Sequence, residues 1–328
     1  MSTLHNPRLF SQHFGIPQAD LDKAGLFDPF LNADTKLFID PLLLRLSKNK
    51  IISGKGLKAF RKRMGDIVSL LLASPANSGP AWKAALRLLD LHERRETCLG
   101  YGGSGTSGSS RPDSLKARIL VTTREIVNLG VTNPEIIGLM GAFEDGVGPD
   151  TISDLATNSM LPVLQELTLG FCREHGVPTR SFDIGLERLE MPENPLDPGF
   201  GFLLVPKDIL RELPVAADWS DIDRVVQHNA RLRQMVNQMV GNIAKATIGQ
   251  KKRALKKIAL SSAKDFNALF NDMLTGTLQG YDFGRDRKSI NALRQLLTAT
   301  PQHFPLMIAK PSAATPEELR RIVGEITA

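Results

Sequence analysis

Cysteine is nearly missing from this chain: Cys98 and Cys172 are the only two in 328 residues, and they stand in no metal-ligand spacing. That excludes a disulfide-built scaffold and a cysteine-rich zinc module, and it predicts two free thiols. Aromatics are scarce at 6%, with two Trp and two Tyr, so a base-stacking surface for single strands is not indicated. The histidines His5, His13, His92, His175, His228 and His303 form no ligand pattern, which leaves zinc hydrolysis without support. No apolar run approaches the ~20 residues that span a bilayer. The start of the chain carries His5, Arg8 and His13 and lacks the apolar centre of an export signal. Together these absences predict a soluble, cytoplasmic protein of bacterial type with no membrane partner.

What is present starts with enough apolar material, 42%, to build a packed core without staples. The net charge of +6 is unevenly placed: from residue 217 onward 17 Lys and Arg stand against 10 Asp and Glu, and the remainder is close to neutral. A basic last third reads as a nucleic-acid footprint through phosphate neutralisation. It reads equally as a solvated charged face or a contact with an acidic partner. Strand signals also stop near Pro214–Trp219, so two parts are expected: an α+β domain over 1–216 and a basic helical domain over 217–328.

Periodicity predicts a mostly α-helical α+β fold with a small β-sheet. Lys36–Asp40, Arg180–Glu190 and Gly201–Val205 read as strands, with Pro41 and Pro206 ending two of them. Lys55–Leu72 reads as an amphipathic helix, with Leu57, Phe60, Met64, Ile67, Leu70 and Leu71 on one side. Further helices are expected at Trp82–Leu91, from Pro112 to about Asn128, and at Pro134–Phe143. One long helix should run from about Asp150 to His175. Beyond Trp219 the pattern is helical over Ser220–Lys245, Gln250–Ser261, Ala263–Leu274, Ser289–Ala299 and Pro316–Ile326.

The densest polar signal is Gly141–Asn158. Gly146, Gly148 and Pro149 break the chain there, and Asp150, Asp154 and Asn158 then follow at steps of four, which stacks them on one helical face. Such short polar side chains are poor helix-interior formers, so the stripe serves something else. With Asp40, Glu144 and Asp145 it offers oxygen ligands suited to Mg²⁺ or Mn²⁺. On that reading Asp40, Asp150 and Asp154 are catalytic, with Asp150 and Asp154 holding the metal. On the other, Asp150 caps the helix and the rest bond neighbouring loops, with no ligand at all.

Two further stretches carry weaker signals. Gly100–Ser110 spells G-x-G-x-x-G through Gly100, Gly102 and Gly105, but no clear strand precedes it and no Walker ending follows, so it reads as a loop. Gln250–Lys257 (QKKRALKK) is the densest basic run. On a helix Lys252 and Lys256 pair at a step of four, as do Arg253 and Lys257, with Leu255 and Ile258 left for the core. Lys251, Lys252, Arg253, Lys256 and Lys257 are therefore the candidate phosphate contacts. Two D-x-K triplets, Asp34-Thr35-Lys36 and Asp286-Arg287-Lys288, lack the strand setting of a restriction-type nuclease.

Three passages, Asp28–Leu44 (DPFLNADTKLFIDPLLL), Glu144–Asn158 (EDGVGPDTISDLATN) and Leu203–Pro214 (LLVPKDILRELP), together resemble a poorly characterised bacterial family found among mobile-element and phage-defence genes. In that family this region precedes a restriction-endonuclease-like domain whose strand carries E-x-K. The chain stops at Ala328 without such a core, so the nuclease is absent, separate, or trimmed away. The resemblance implies a nucleic-acid-associated component of an antiviral defence system that acts with partner subunits. The alternatives are a metal-dependent nuclease or phosphohydrolase using Asp40, Asp150 and Asp154, and a non-catalytic scaffold or sensor.

Overall fold

The computed structural model describes residues 8–31, 34–74, 76–100, 112–185, 187–213, 230–242, 245–275 and 279–283. The segments 289–299 and 316–326, the boundary at 214–219, the triplet at 286–288 and most of the Gly-rich stretch lie outside them. The described residues are mostly helical with two small antiparallel sheets of two strands each. After the short helices α1 (Phe10–Phe14) and α2 (Gln18–Ala24), helix α3 (Leu57–Leu72) follows the predicted stripe: Phe60, Met64, Ile67, Val68 and Leu71 are buried, and Leu57 and Leu70 pack at the margin. It is entered through a wide turn, Ile52–Gly56, whose start is held by the Asn49 side chain accepting from the Ile51 and Ile52 amides. Helices α4 (Gly79–Leu88) and α5 (Asp113–Asn128) pack beside α3.

Helix α7 (Pro149–Ser159) is the axis of the molecule, with ten of its eleven residues buried. It is reached from the short α6 (Met140–Phe143) through the glycine elbow, where Gly146 has φ of 80°, in the region that disfavours a side chain. The expected single helix over 150–175 is two. Pro162 has no amide to continue the ladder, so the chain breaks at Met160 (φ −129°, ψ 22°) and restarts as α8 (Leu161–Glu174).

The sheets differ from expectation in instructive ways. Strand β1 (Leu37–Ile39) is fully buried and pairs with β4 (Leu210–Glu212), in the register Leu37 to Glu212 and Ile39 to Leu210. The predicted strand over 180–190 is instead a hairpin, β2 (Thr179–Ile184) and β3 (Glu187–Pro192), folded at Gly185 with φ of 61°. Gly201–Val205 is a strand of neither sheet and, among the described residues, pairs only through an isolated antiparallel bridge from Gly201 to Glu193. Leu203 donates to Glu96 O, Leu204 to the Thr168 hydroxyl, and Val205 O accepts from Phe27. An apolar run of that length signals burial on all sides as readily as a ladder.

Among the described residues beyond 217 are three helices: α9 (Ala230–Val240), α10 (Ile248–Ala259) and α11 (Ala263–Thr275). Their apolar residues, among them Val236, Leu255, Ile258, Phe266 and Phe270, join the same hydrophobic core as α3 and α7. Cys98 and Cys172 are buried free thiols. Among the described residues no helix is long and apolar enough to cross a membrane.

Candidate functional site

The polar stripe on α7 points into the protein. Ser153 Oγ accepts from the Ile39 amide at 3.0 Å, tying the helix to β1. Asn158 donates to the carbonyls of Asp90 and His92 at 3.3 and 2.8 Å and accepts from Arg94 Nε. Its amide therefore clamps the 90–94 segment. Within that segment His92 Nδ1 lies 2.5 Å from Asp90 Oδ1, and Arg94 reaches the other oxygen. Burial works against the charge of Asp90, but the bonds from His92 and the charge of Arg94 outweigh it and hold the carboxyl below its ordinary value. Asp150 and Asp154 each engage a partner within the chain.

Asp40 sits apart from the stripe in role. One oxygen accepts from the Leu42 amide at 2.9 Å and caps the turn Pro41–Leu46, while the other takes Arg211 Nη1 at 2.8 Å across the β1–β4 pair. Among the described residues no three His, Cys, Asp or Glu side chains gather in a geometry that could hold a metal ion. Asp40, Asp150 and Asp154 are thus not brought together as a ligand set. Ser153 beside the stripe and Asn158 within it instead join a strand and a loop to the central helix.

The basic helix α10 carries the larger surprise. Thr247 and Gln250 close its start with a reciprocal capping pair. Lys252, only 4% exposed, then drives its ammonium onto the carbonyls of Glu144 and Val147 at 2.9 and 2.8 Å. Glu144 is the C-terminal cap of α6 and its carbonyl also accepts from the Val147 amide at 3.3 Å, so the ammonium adds a second partner at the negative end of that short helix. Burial lowers the Lys252 pKa to about 8 against the opposing pull of Asp145 and Glu144. Lys256 reaches Glu144 Oε1 at 2.7 Å and Thr122 Oγ1 at 2.5 Å, and Arg253 pairs with Asp145 at 3.0 Å. The step of four between Lys252 and Lys256 is real, but it faces the elbow and not solvent. Lys257 is exposed, and Lys251 is half-buried with a partner in the chain.

A second polar cluster, around Asp34 and the 93–100 segment, went unnoticed in the sequence. Thr35 pairs in parallel with Leu99; its amide donates to Cys98 O, and its carbonyl accepts from Gly100. Cys98 takes a left-handed backbone (φ 53°), the one non-glycine among the described residues to do so. Burial, reinforced by Glu93 and opposed by Arg95, raises the Asp34 carboxyl to about 6. Burial likewise raises Glu96 and suppresses ionisation of the Cys98 thiol. Thr35 Oγ1, Arg95 Nη1 and Glu96 Oε2 are buried without hydrogen-bond partners. Asp34 was visible only as half of a D-x-K triplet. Nothing local announces the packing of Glu93 and Arg95 that perturbs it. A shallow hollow of about 240 Å³ lies elsewhere, between His13, Phe14, Arg180 and Glu193.

Fold and site together define a helical α+β protein whose conspicuous polar residues tie its own elements to one buried helix. Residues 15–218 match the family described as a domain of unknown function (DUF8370), and the chain belongs to that family. The match takes in the stripe, the elbow and the Asp34 cluster, and it ends before α9–α11 begin. No curated protein and no solved structure matches the chain.

Proposed function

We propose that this chain is a nucleic-acid-associated component of a bacterial antiviral defence system that works in the cytoplasm with partner subunits, and that it binds without catalysing. The observation that carries the reading is the division of its charges. Asp40 is committed to a cap and an ion pair inside the fold, whereas Lys245, Lys257 and Lys264 stand exposed on and beside the last helices. Exposed cations on a basic part supply the phosphate contacts of sequence-independent binding. The link to defence comes from the resemblance of the three passages quoted above. Lys252 belongs to the fold and is a poor probe of binding.

The test is a salt titration of purified chain against labelled duplex DNA and RNA. Binding should weaken steeply with salt. Replacing Lys245, Lys257 and Lys264 together by Gln should flatten log K against log salt by about 2–3 units on duplex DNA, at about 0.9 per lost phosphate contact. Absence of binding to either nucleic acid at low salt would sink the reading. Cleavage that requires Mg²⁺ or Mn²⁺ and disappears in Asp154→Ala would favour the metal-dependent nuclease instead.

A further inference from the structure

The family match ends at residue 218, yet the buried groups of the elbow are satisfied from beyond it. Take α10 away and the Val147 carbonyl loses its ammonium, the Glu144 carbonyl keeps only the Val147 amide, and the buried Glu144 carboxylate keeps the Thr122 hydroxyl but loses the Lys256 charge. Buried polar groups are rarely left in that state, since each costs ~1–3 kcal/mol. The elbow therefore has the chemistry of a receptor. It offers the Glu144 and Val147 carbonyls just beyond α6, the carboxylates of Glu144 and Asp145, the Thr122 hydroxyl, and an apolar floor that includes Phe143.

The occupant is equally specific. A Cβ at Gly249 would stand 3.1 Å from Asp145 Oδ1, so glycine there leaves that carboxylate in place beside Arg253. Lys252, Arg253 and Lys256 supply three cations on the acidic side, and Leu255 and Ile258 are buried beneath. This is helix-in-groove recognition with charge complementarity added. We propose that the elbow is a docking groove for a cationic amphipathic helix of the pattern G-x-x-K-R-x-L-K, filled here in cis by α10. A partner protein presenting such a helix exchanges with α10. Tethering puts α10 at an effective concentration on the order of millimolar, so the free groove is rare in the intact chain, and a competitor gains access when the cis contacts weaken.

The proposal is tested on the full-length chain with a fluorescent synthetic peptide of residues 245–262, and the outcome does not depend on nucleic-acid binding. In the Lys252→Ala, Lys256→Ala double variant the peptide should bind at least tenfold more tightly than to the wild type, as read by anisotropy. It should also raise the Tm of that variant and leave the wild-type Tm unchanged. Adding Glu144→Gln should weaken peptide binding tenfold. A folded double variant that binds the peptide no better than wild type overturns the proposal, as does binding indifferent to Glu144→Gln. If the double variant fails to fold, Lys256→Gln, whose side chain is partly exposed, is titrated instead, and the same comparison decides.

Discussion

At the scale of single residues, Asp34 is the clearest case of a side chain held against its own preference. Its carboxyl is raised from an ordinary 3.8 to about 6 by burial and by Glu93. The folded state therefore binds more protons than the unfolded one between those two values. Stability is greatest with respect to this group below its unfolded pKa, and it is lost as pH rises through the folded one. Asp34→Asn removes the charge and keeps the shape. The variant should be more stable than wild type at pH 7 by about 1–2 kcal/mol, after discounting for the partial exposure of the site. The advantage should vanish near pH 4. Urea unfolding of both proteins at the two pH values measures it, and an advantage that persists at pH 4 would point to something other than ionisation. Lys252 shows why such residues escape a sequence reading. Its position in a basic run suggested solvent, and only the fold reveals that two carbonyls of the elbow await it.

At the scale of elements, legibility followed the length of the repeat. The α3 stripe spans four turns, and its C-terminal limit and buried face could be read directly, while its start falls two residues later than the pattern placed it, after the wide turn Ile52–Gly56. The α7–α8 break hangs on one proline, and the hairpin turn at Gly185 interrupts a run whose alternation was already imperfect. Strand β4 has three residues, too few to declare a period, and its partner β1 lies far away in sequence. The spacing of Asp150, Asp154 and Asn158 did mark α7 as special, although the side chains bind the protein itself. Asn158 is the measurable case, because one amide makes three bonds to the 90–94 segment. Asn158→Leu preserves volume but strands Arg94 Nε and two carbonyls. It should cost about 2–4 kcal/mol, since each buried group left unpaired costs ~1–3 kcal/mol and the losses overlap. Denaturant midpoints supply the number, and limited proteolysis should then cut first near residues 90–100. A loss below ~0.5 kcal/mol would mean that solvent already satisfies that segment.

At the scale of the whole molecule, the change of composition near residue 217 marks a change of sequence character that the core does not respect. Leu255, Ile258, Phe266 and Phe270 share one apolar cluster with α3 and α7, and Phe143 packs against Phe266 with ring centroids 6.1 Å apart. Continuity of the core does not require uniform stability, however. Proteins open in cooperative units whose free energies run from near zero to the global value. The α10 seam relies on a desolvated ammonium whose pKa is pushed down to about 8, whereas α7 has ten of its eleven residues buried. A seam built on a group that resists its own charge is the place where such a unit should separate. Native-state hydrogen exchange should therefore find the amides of 250–259 opening together with those of 144–150, at a free energy at least ~1 kcal/mol below that of the α3 and α7 amides. Glu144→Gln should lower the first value and leave the second unchanged. If all these amides exchange at one common free energy, α10 is inseparable from the core, and the elbow can receive no helix but its own.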